Sequence, residues 1–130
     1  ANNLKSGKDI SIIAYSRMTN FAIEAAKKLE EQNISAEVID LRTLNPLDKK
    51  TIIDSVKKTK HALVLSEGHY TTGVASEITS IIFENCFKEL NKPVIRYTAE
   101  DTPVPVAPNL EKNYVPTVDR IVSYTKDILA

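Results

Sequence analysis

The sequence predicts an α/β protein built as a three-layer α/β/α sandwich. Two observations predict this fold: short β-branched apolar segments alternate with segments of helical period, and the segment His61–Ser66 is almost wholly apolar. Alternating strands and helices are typical of parallel crossover units, and an apolar strand is typical of a central position that helices cover on both faces. With 130 residues, the chain has about the length of one domain and can bury a core without disulfides.

Two strands are expected near the N-terminus. Residues Ala1–Lys5 can form an edge strand, and Ile10–Tyr15 is a strongly apolar strand. Between them, Ser6-Gly7 has the composition of a tight turn. The residues alone therefore predict an antiparallel hairpin at one side of the sheet.

The first helix is expected over Thr19–Glu31, where apolar residues recur on one face and charged residues on the other. Thr19 or Asn20 can serve as its N-cap. The next strand is Ala36–Leu41, which is apolar and β-branched.

The second helix is expected over Asp48–Lys58. Pro46 disfavours a helical conformation for the residue before it, so the helix can begin only afterwards, with Asp48 as N-cap. The apolar side chains expected to point inward are Ile52, Ile53 and Val56. The run Lys57–Lys60 is interpreted as a solvated helix end that complements the helix dipole.

A loop over Glu67–Thr72 is expected after the central strand, and a long helix then runs to about Leu90. Cys86 on this helix is expected to pack as a small hydrophobic residue. The apolar side chains expected to point inward are Val74, Ile78, Ile81, Ile82 and Phe87.

The last third of the chain contains a strand, a proline-rich segment and a helix. The strand is Val94–Thr98, and Glu100–Tyr114 is expected to be extended because it carries three prolines. Within it, Glu100–Glu111 either wraps its own domain or forms an interface with another chain. Pro116 is placed in the first turn of the last helix, whose expected apolar residues are Val118, Ile121, Val122 and Ile128.

Composition argues against two classes of partner and indicates a redox compartment. Lys plus Arg and Asp plus Glu both number 17, so the net charge is zero, which disfavours a nucleic-acid surface. No apolar run reaches the length that spans a bilayer. The single cysteine, Cys86, cannot form an internal disulfide, which indicates a reducing compartment.

The known motifs for catalysis and cofactor binding are absent from the sequence. It contains neither GxGxxG nor GxxxxGK[ST], and it has three glycines in total. There is no nucleophile elbow. His61 and His69 are too far apart in sequence to act as a helical pair of metal ligands, and a single cysteine does not make a zinc site.

Four residues at the carboxyl ends of predicted strands are the candidate site residues. Glu67 and His69 follow the central strand, and Arg17 and Arg42 follow the two strands before it. Ligands of open α/β sheets usually bind at this edge, so the functional interpretation is an anion site or a domain-contact loop. The simpler interpretation is a strand–helix connection capped by Thr72, with Arg42 paired to a nearby aspartate such as Asp40 or Asp48.

The order of several segments resembles the C-terminal domain of the β subunit of a thiamine-diphosphate-dependent 2-oxoacid dehydrogenase, the E1 component. Pyruvate dehydrogenase is the branch that fits best. The resemblance covers essentially the whole chain. The matching segments are Gly7–Asp9, Ile13–Met18, Val38–Leu44 with Pro46 and Asp48, Ser55–Thr59, Gly73 with Ser76–Ile78, Leu90, Pro93-Val94, Arg96, Asp101–Pro103 with Pro105, Leu110-Glu111 and Pro116.

The resemblance implies a mixed, mostly parallel five-stranded sheet of the transketolase C-terminal-domain type, with Ala1–Lys5 antiparallel to the other strands. It also implies that this domain has no catalytic, cofactor or metal residues, because thiamine diphosphate and Mg²⁺ are bound by other parts of the enzyme. The implied partners are an E1 α subunit, a second E1 β subunit and the peripheral-subunit-binding domain of the E2 acyltransferase. The implied E2-docking residues are Asn91, Leu129 and Ala130, although many relatives have an acidic residue where this chain has Asn91.

Three further expectations concern identity. The chain starts without Met, so it is interpreted as a fragment of a longer E1 β subunit or as a processed chain. The implied location is the bacterial cytoplasm, the mitochondrial matrix or a plastid. The alternatives are a branched-chain 2-oxoacid dehydrogenase, a free-standing small-ligand or partner-binding α/β module, and another thiamine enzyme such as a transketolase. The segment Asp101–Pro103 with Pro105 argues against the last of these.

Overall fold

The computed structural model describes residues 1–42, 47–69, 73–99 and 117–130. These residues form five strands and four helices. The strands are β1 (Asn2–Lys5), β2 (Ile10–Ala14), β3 (Ala36–Asp40), β4 (Ala62–His69) and β5 (Ile95–Ala99). The helices are α1 (Met18–Glu30), α2 (Lys49–Thr59), α3 (Val74–Cys86) and α4 (Val118–Leu129).

The strands form a single five-stranded sheet in the order β1-β3-β2-β4-β5. Strands β3, β2, β4 and β5 are parallel, and β1 is antiparallel to β3. This confirms the predicted fold class, a three-layer α/β/α sandwich with a mixed, mostly parallel sheet. Strand β4 lies inside the sheet, as the apolar character of His61–Ser66 predicted.

The predicted hairpin between the first two strands is wrong. Strand β2 lies between β3 and β4 and has no free edge, so β1 pairs with β3 instead. The connection passes the start of β3 so closely that a Cβ on Gly7 would overlap the backbone of Ala36 and Glu37. Gly7 is therefore needed for a close backbone approach at this crossing rather than for a hairpin turn.

Helices α1 and α4 pack on one face of the sheet, and α2 and α3 pack on the other. The side chains of β2 alternate between the two layers, with Ile12 in the first core cluster and Ile13 in the second. Both isoleucines are fully buried. This two-sided burial is the reason why the central strands are nearly continuous apolar runs.

The helix starts partly agree with the sequence. Helix α1 begins at Met18 with Arg17 at the N-cap position, so neither Thr19 nor Asn20 is the cap. In α2 the prediction is confirmed, because the Asp48 side chain accepts a hydrogen bond from the Thr51 backbone at 3.2 Å. The N-cap of α3 is Gly73 and that of α4 is Thr117.

Two predictions about the end of β4 and of α3 are wrong. Strand β4 continues to His69, so Glu67 lies in the strand and not in a loop. Helix α3 ends at Cys86 rather than near Leu90, and Phe87 points outward with 65% of its surface exposed. Cys86 itself is fully buried, as predicted. The predicted extended segment Glu100–Tyr114, together with Thr72 and Pro116, lies outside the described residues.

Candidate functional site at the carboxyl edge of the sheet

Arg17 and Glu67 form an ion pair at the carboxyl edge of the sheet. Ser16 turns the chain out of β2 with a positive φ of 57°, and Arg17 follows at the N-cap position of α1. Strand β4 neighbours β2 in parallel, which brings Glu67 within reach of the Arg17 Nε. The two side chains are 53% and 30% exposed. The structure thus brings together two of the four predicted residues.

Arg42 forms the second pair of this edge with Asp40, one of the two aspartates proposed from sequence. The Arg42 Nε lies 3.6 Å from the Asp40 Oδ2, and the Arg42 backbone N–H donates to the Asp40 Oδ1 at 3.2 Å. The Thr19 hydroxyl also donates to this carboxylate, at 3.4 Å. Arg42 has a positive φ of 61°. This local geometry is that of a structural turn at the end of β3.

A third polar contact joins the residue after β2 to the interior of β4. The hydroxyls of Tyr15 and Ser66 lie 3.2 Å apart. Sequence reasoning missed both residues as members of the site, although both are hydroxyl residues directly at the end of a predicted strand. The fourth predicted residue, His69, ends β4, and its side chain lies outside the described residues.

The described part of this edge is suited to contacts with charged groups more than to acid–base chemistry. Both arginines already pair with carboxylates, and such exposed pairs can exchange partners at small cost. In the four described ranges no three His, Cys, Asp or Glu side chains lie together as a metal site would need. No helix within those ranges has the length and apolar character required to cross a membrane.

At the opposite, amino end of the sheet lies a buried polar cluster, which we call the Glu37 cluster. It consists of Glu37 on β3, Ser11 on β2, and Ser55, Lys58 and Thr59 at the end of α2. Glu37 is only 1% exposed. Its carboxylate accepts hydrogen bonds from the Ser55 hydroxyl at 2.6 Å, from the Gly7 N–H at 3.2 Å and from the Lys58 ammonium.

Hydroxyl groups extend the Glu37 cluster into the core. The Ser11 hydroxyl lies 2.6 Å from that of Ser55 and 2.7 Å from that of Thr59. Burial by itself raises the pKa of the Glu37 carboxyl, but the hydrogen bonds from Lys58, Ser55 and Gly7 together hold it below its ordinary value of 4.5. The predicted solvated lysine end is therefore wrong in part, because Lys58 binds Glu37 and Thr59 is buried.

A recognisable signal for this cluster is present in the sequence. Glu37 and Ser11 are polar residues inside strands that are otherwise apolar. A carboxylate in a strand buried on both faces needs a cation or several donors. Because the polar side chains of the Glu37 cluster hydrogen-bond to one another, the cluster stabilises the fold and is not suited to bind a ligand.

The residues predicted to dock E2 meet at one corner. The Lys92 ammonium, next to Asn91, donates to the carbonyl oxygen of Ala130 at the end of α4. The Asn91 N–H donates to the carbonyl oxygen of Lys60 at 3.0 Å, which anchors the turn after α3. Leu129 is the last residue of α4. The corner thus joins two segments that are far apart in sequence.

Two recesses flank this corner. One of about 430 Å³ lies beside the exposed end of α3, and one of about 260 Å³ lies beside α4. Lys92 and Pro93 line both. The larger recess is additionally lined by Thr79, Phe83, Phe87, Leu90, Asn91 and Val94. Sequence reasoning did not find this surface, because it placed Phe87 in the core.

The family described as "Transketolase, C-terminal domain" matches residues 1–121 of the chain. The chain belongs to the transketolase C-terminal domain family. The similarity that the sequence showed to this type of domain is thereby confirmed.

Curated relatives of this transketolase C-terminal domain include β subunits of pyruvate dehydrogenase E1. It is 43% identical over 122 residues to the mitochondrial pyruvate dehydrogenase E1 component subunit beta-1 of Arabidopsis thaliana, which covers 94% of this chain and 34% of the relative. It is 38% identical over 128 residues to the corresponding subunit of Rickettsia felis, covering 98% and 39%. The acetoin:2,6-dichlorophenolindophenol oxidoreductase subunit beta of Bacillus subtilis is 39% identical over 125 residues, covering 96% and 36%.

Solved structures show the same architecture. A chain of a split-gene transketolase, described as an inactive beta4 tetramer, superposes with a TM-score of 0.85 at 29% identity, covering 98% of this chain and 40% of that chain. The 2-oxoglutarate:ferredoxin oxidoreductase of Magnetococcus marinus superposes with a TM-score of 0.66 at 16% identity, covering 99% and 19%, which shows the fold alone. The transketolase C-terminal domain spans between a third and two fifths of these curated relatives.

Proposed function

We propose that this chain is the C-terminal assembly domain of an E1 β subunit in a pyruvate dehydrogenase complex. Such an enzyme oxidatively decarboxylates pyruvate and passes the acetyl group to the lipoyl group of E2. One observation carries the proposal: pyruvate dehydrogenase β subunits match nearly the whole chain, at 43% and 38% identity, but with only 34% and 39% of their own length. A fragment of a longer β subunit explains both the high identity and the partial coverage.

Thiamine diphosphate and Mg²⁺, the cofactors of the proposed enzyme, do not fit the described residues. Mg²⁺ prefers carboxylate and other oxygen ligands, but the carboxylates of the carboxyl edge, Asp40 and Glu67, are paired with arginines. The Glu37 carboxylate is buried among its own donors. A diphosphate cradle normally uses closely spaced glycines, and the chain has three glycines in all. We therefore assign cofactor binding to other parts of the whole enzyme.

The proposed partners are an E1 α subunit, a second β subunit and the peripheral-subunit-binding domain of E2. Asn91, Leu129 and Ala130 are the proposed E2-docking residues, and the contact between Lys92 and Ala130 supports the grouping. Asn91 is uncharged, and Lys92 is engaged with a carbonyl. Docking at this corner would therefore depend on hydrogen bonds and apolar contacts, unlike docking in relatives with an acidic residue at position 91.

Arg17, Arg42, Glu67 and His69 are proposed as an interface or regulatory-ligand edge of the same domain. The exposed Arg17–Glu67 pair supports this role, since it offers both signs of charge to an adjoining chain. A location in the bacterial cytoplasm or the mitochondrial matrix agrees with the sources of the relatives, and a plastid is the third candidate.

A second candidate function is the β subunit of an acetoin-oxidising enzyme. The Bacillus subtilis acetoin enzyme matches at 39% identity over 96% of the chain, which falls between the two pyruvate dehydrogenase subunits. The domain therefore does not separate these two substrates. In the proposed architecture this is expected, because substrate contacts belong to the parts of the enzyme that bind the cofactor.

Calorimetric titration of the chain with a purified peripheral-subunit-binding domain of an E2 acyltransferase tests the proposal. We expect measurable binding, and we expect Asn91→Asp to strengthen it about twofold to fivefold, the range of an exposed ion pair. Asn33→Asp, which adds the same charge in the turn after α1, is the matched control and should change nothing. If neither the chain nor its Asn91→Asp variant binds, the assignment of E2 docking to this domain is wrong.

A further inference from the structure

A polar recess of about 360 Å³ lies at the amino end of the sheet, beside the end of α1. Two turns enclose it, the one that joins β1 to β2 and the one that joins α1 to β3. Its lining, which we call the lysine recess, consists of Lys5, Lys8, Glu30, Asn33, Ile34 and Ser35. Five of these six side chains are polar or charged. A recess of this size accommodates a small molecule, and this lining suits a polar one.

Hydrogen bonds of the backbone hold the two turns in a fixed position. The Asp9 N–H donates to the Ser35 carbonyl oxygen at 2.8 Å, and the Ser35 N–H donates to the Asp9 Oδ2 at 2.7 Å. The Ile34 N–H donates to the carbonyl oxygen of Leu29 at 3.0 Å, which closes the end of α1. Asn33 has a positive φ of 62°, which asparagine adopts more readily than most residues. The walls of the recess are therefore in place before a ligand arrives, which lowers the cost of binding.

Two side chains of the recess have hydrogens to donate to a ligand. The Lys8 backbone N–H donates to the Ser35 hydroxyl oxygen at 3.2 Å, so the hydrogen of that hydroxyl remains available. The Lys8 side chain is exposed. Within the described residues its ammonium group forms no ion pair. An anion in the recess can therefore accept hydrogen bonds from both side chains without breaking an existing one.

Lys5 supplies the second ammonium group of the recess. Its Nζ lies 3.2 Å from the Oε2 of Glu30, and the two side chains are 27% and 66% exposed. Because Glu30 is the more exposed partner, its carboxylate can turn into the solvent while the ammonium group stays at the recess. Exposed ion pairs contribute little to stability, so an anion can replace Glu30 at small cost. Two ammonium groups against one carboxylate leave an excess of positive charge.

We propose that the lysine recess binds a phosphate group, held by the ammonium groups of Lys5 and Lys8 and by the Ser35 hydroxyl. Ammonium groups act as compact charges that bind phosphate, whereas a planar carboxylate is matched better by the fork of an arginine. No arginine lines this recess. Its volume leaves room next to Ile34 for the carbon atoms of a phosphate monoester. The site lies at the opposite end of the sheet from the carboxyl edge and is independent of the proposed function.

A titration of the ¹⁵N-labelled chain with inorganic phosphate at constant ionic strength, followed by two-dimensional NMR, tests this proposal. We expect saturable shifts of the amides of residues 5–8 and 33–35, with a dissociation constant of about 1 mM. The amides of Arg17 and Arg42 at the carboxyl edge should not shift. The absence of saturable shifts would overturn the proposal, and so would shifts confined to those two arginines.

Two variants of the recess should change the affinity in opposite directions. Lys8→Ala removes the unpaired ammonium group but keeps the backbone bond to Ser35, so we expect the dissociation constant to rise about fivefold. Glu30→Gln removes the competing carboxylate, so we expect the constant to fall about twofold to threefold. Lys126→Ala removes an exposed ammonium group on α4 and, as the matched control, should bind phosphate like the wild type. An unchanged affinity of Lys8→Ala would overturn the proposal.

Two further ligands identify the chemistry of the site. Malonate, a small dicarboxylate, should bind at least about fivefold more weakly than phosphate, because its planar carboxylates are matched less well by ammonium groups. Equal binding of malonate would overturn the assignment to phosphate. Glycerol 3-phosphate separates the two sources of a phosphate group: binding at least as tight as that of inorganic phosphate supports a monoester, and exclusion of the ester assigns the recess to the free ion.

Discussion

The two ends of the sheet differ in how they hold a carboxylate. At the amino end, Glu37 is buried and accepts hydrogen bonds from three groups. At the carboxyl end, Glu67 is partly exposed and pairs with an Arg17 that is more than half exposed. A carboxylate therefore has a structural role at one end and an accessible position at the other.

This difference shows which polar groups of the domain are free to contact another molecule. Buried polar groups must be paired, so the Glu37 cluster fixes β2, β3 and α2 relative to one another and has no capacity left for a ligand. Exposed ion pairs contribute little to stability and can be replaced by contacts to another chain. The exposed ion pairs of the carboxyl edge can therefore contact another chain without a large loss of stability.

The largest expected effect is that of removing the buried carboxylate. Glu37→Ala removes the buried acceptor of the Ser55 hydroxyl, the Gly7 N–H and the Lys58 ammonium, so we expect the free energy of unfolding to fall by about 3 kcal/mol. Glu67→Ala, which removes the exposed carboxylate of the other end, should cost at most about 1 kcal/mol. Urea unfolding of both variants measures the difference, and equal losses would abolish the distinction between the two ends.

The pH dependence of stability should come partly from the same carboxylate. The pKa of Glu37 in the folded chain lies below its ordinary value of 4.5, so its ionised form stabilises the fold above that value. This stabilisation is lost as the pH falls through the lowered pKa. The difference in unfolding free energy between the wild type and Glu37→Gln should therefore shrink from pH 7 towards acid. A difference that stays constant over a series of urea titrations would contradict this account.

Removal of one hydroxyl at each end gives a smaller, matched comparison. Ser11→Ala removes two buried hydrogen bonds, those to the Ser55 and Thr59 hydroxyls, and we expect a loss of about 1–2 kcal/mol. Tyr15→Phe removes the hydroxyl next to Ser66, but Ser66 keeps another contact, so the loss should stay below about 1 kcal/mol. Thermal unfolding followed by circular dichroism would rank the two, and the reverse order would count against the buried network.

The smallest expected effect concerns the backbone and should be the same at both ends. Lys60 and Ser16 have positive φ angles of 64° and 57°, at the amino end of β4 and the carboxyl end of β2. Glycine at either position should stabilise the fold by about 0.5 kcal/mol, because only glycine adopts this conformation without strain. Lys57→Gly inside α2 is the control and should destabilise by about 1 kcal/mol. Destabilisation by Lys60→Gly would show that its backbone is not strained.

The types of the elements could be predicted from the sequence because periodicity reports burial directly. Strand β4 is apolar since both of its faces are covered, and Asp48 was recognisable as a cap because a proline precedes it. The order of the strands has no such local signal. The pairing of β1 with β3 depends on the fact that both edges of β2 are taken, which is a property of the whole sheet.

The candidate site was predictable only in part. Arg17 and Glu67 are 50 residues apart in sequence, yet the parallel pairing of β2 and β4 brings them together, as their positions at strand ends indicated. Phe87 was assigned to the core although it follows Ile82 by five residues, which is about 140° around a helix. Its backbone is still helical, so its ring points away from the core. Cys86, four residues after Ile82, is the buried residue of this turn.

The central claim is that this domain supports a reaction centre that other parts of the enzyme build. Calorimetric titration of the chain with thiamine diphosphate and Mg²⁺, with a complete E1 enzyme as positive control, tests it most directly. The account predicts binding heat from the complete enzyme and none from this chain. Micromolar binding of the cofactor to the chain alone would contradict it.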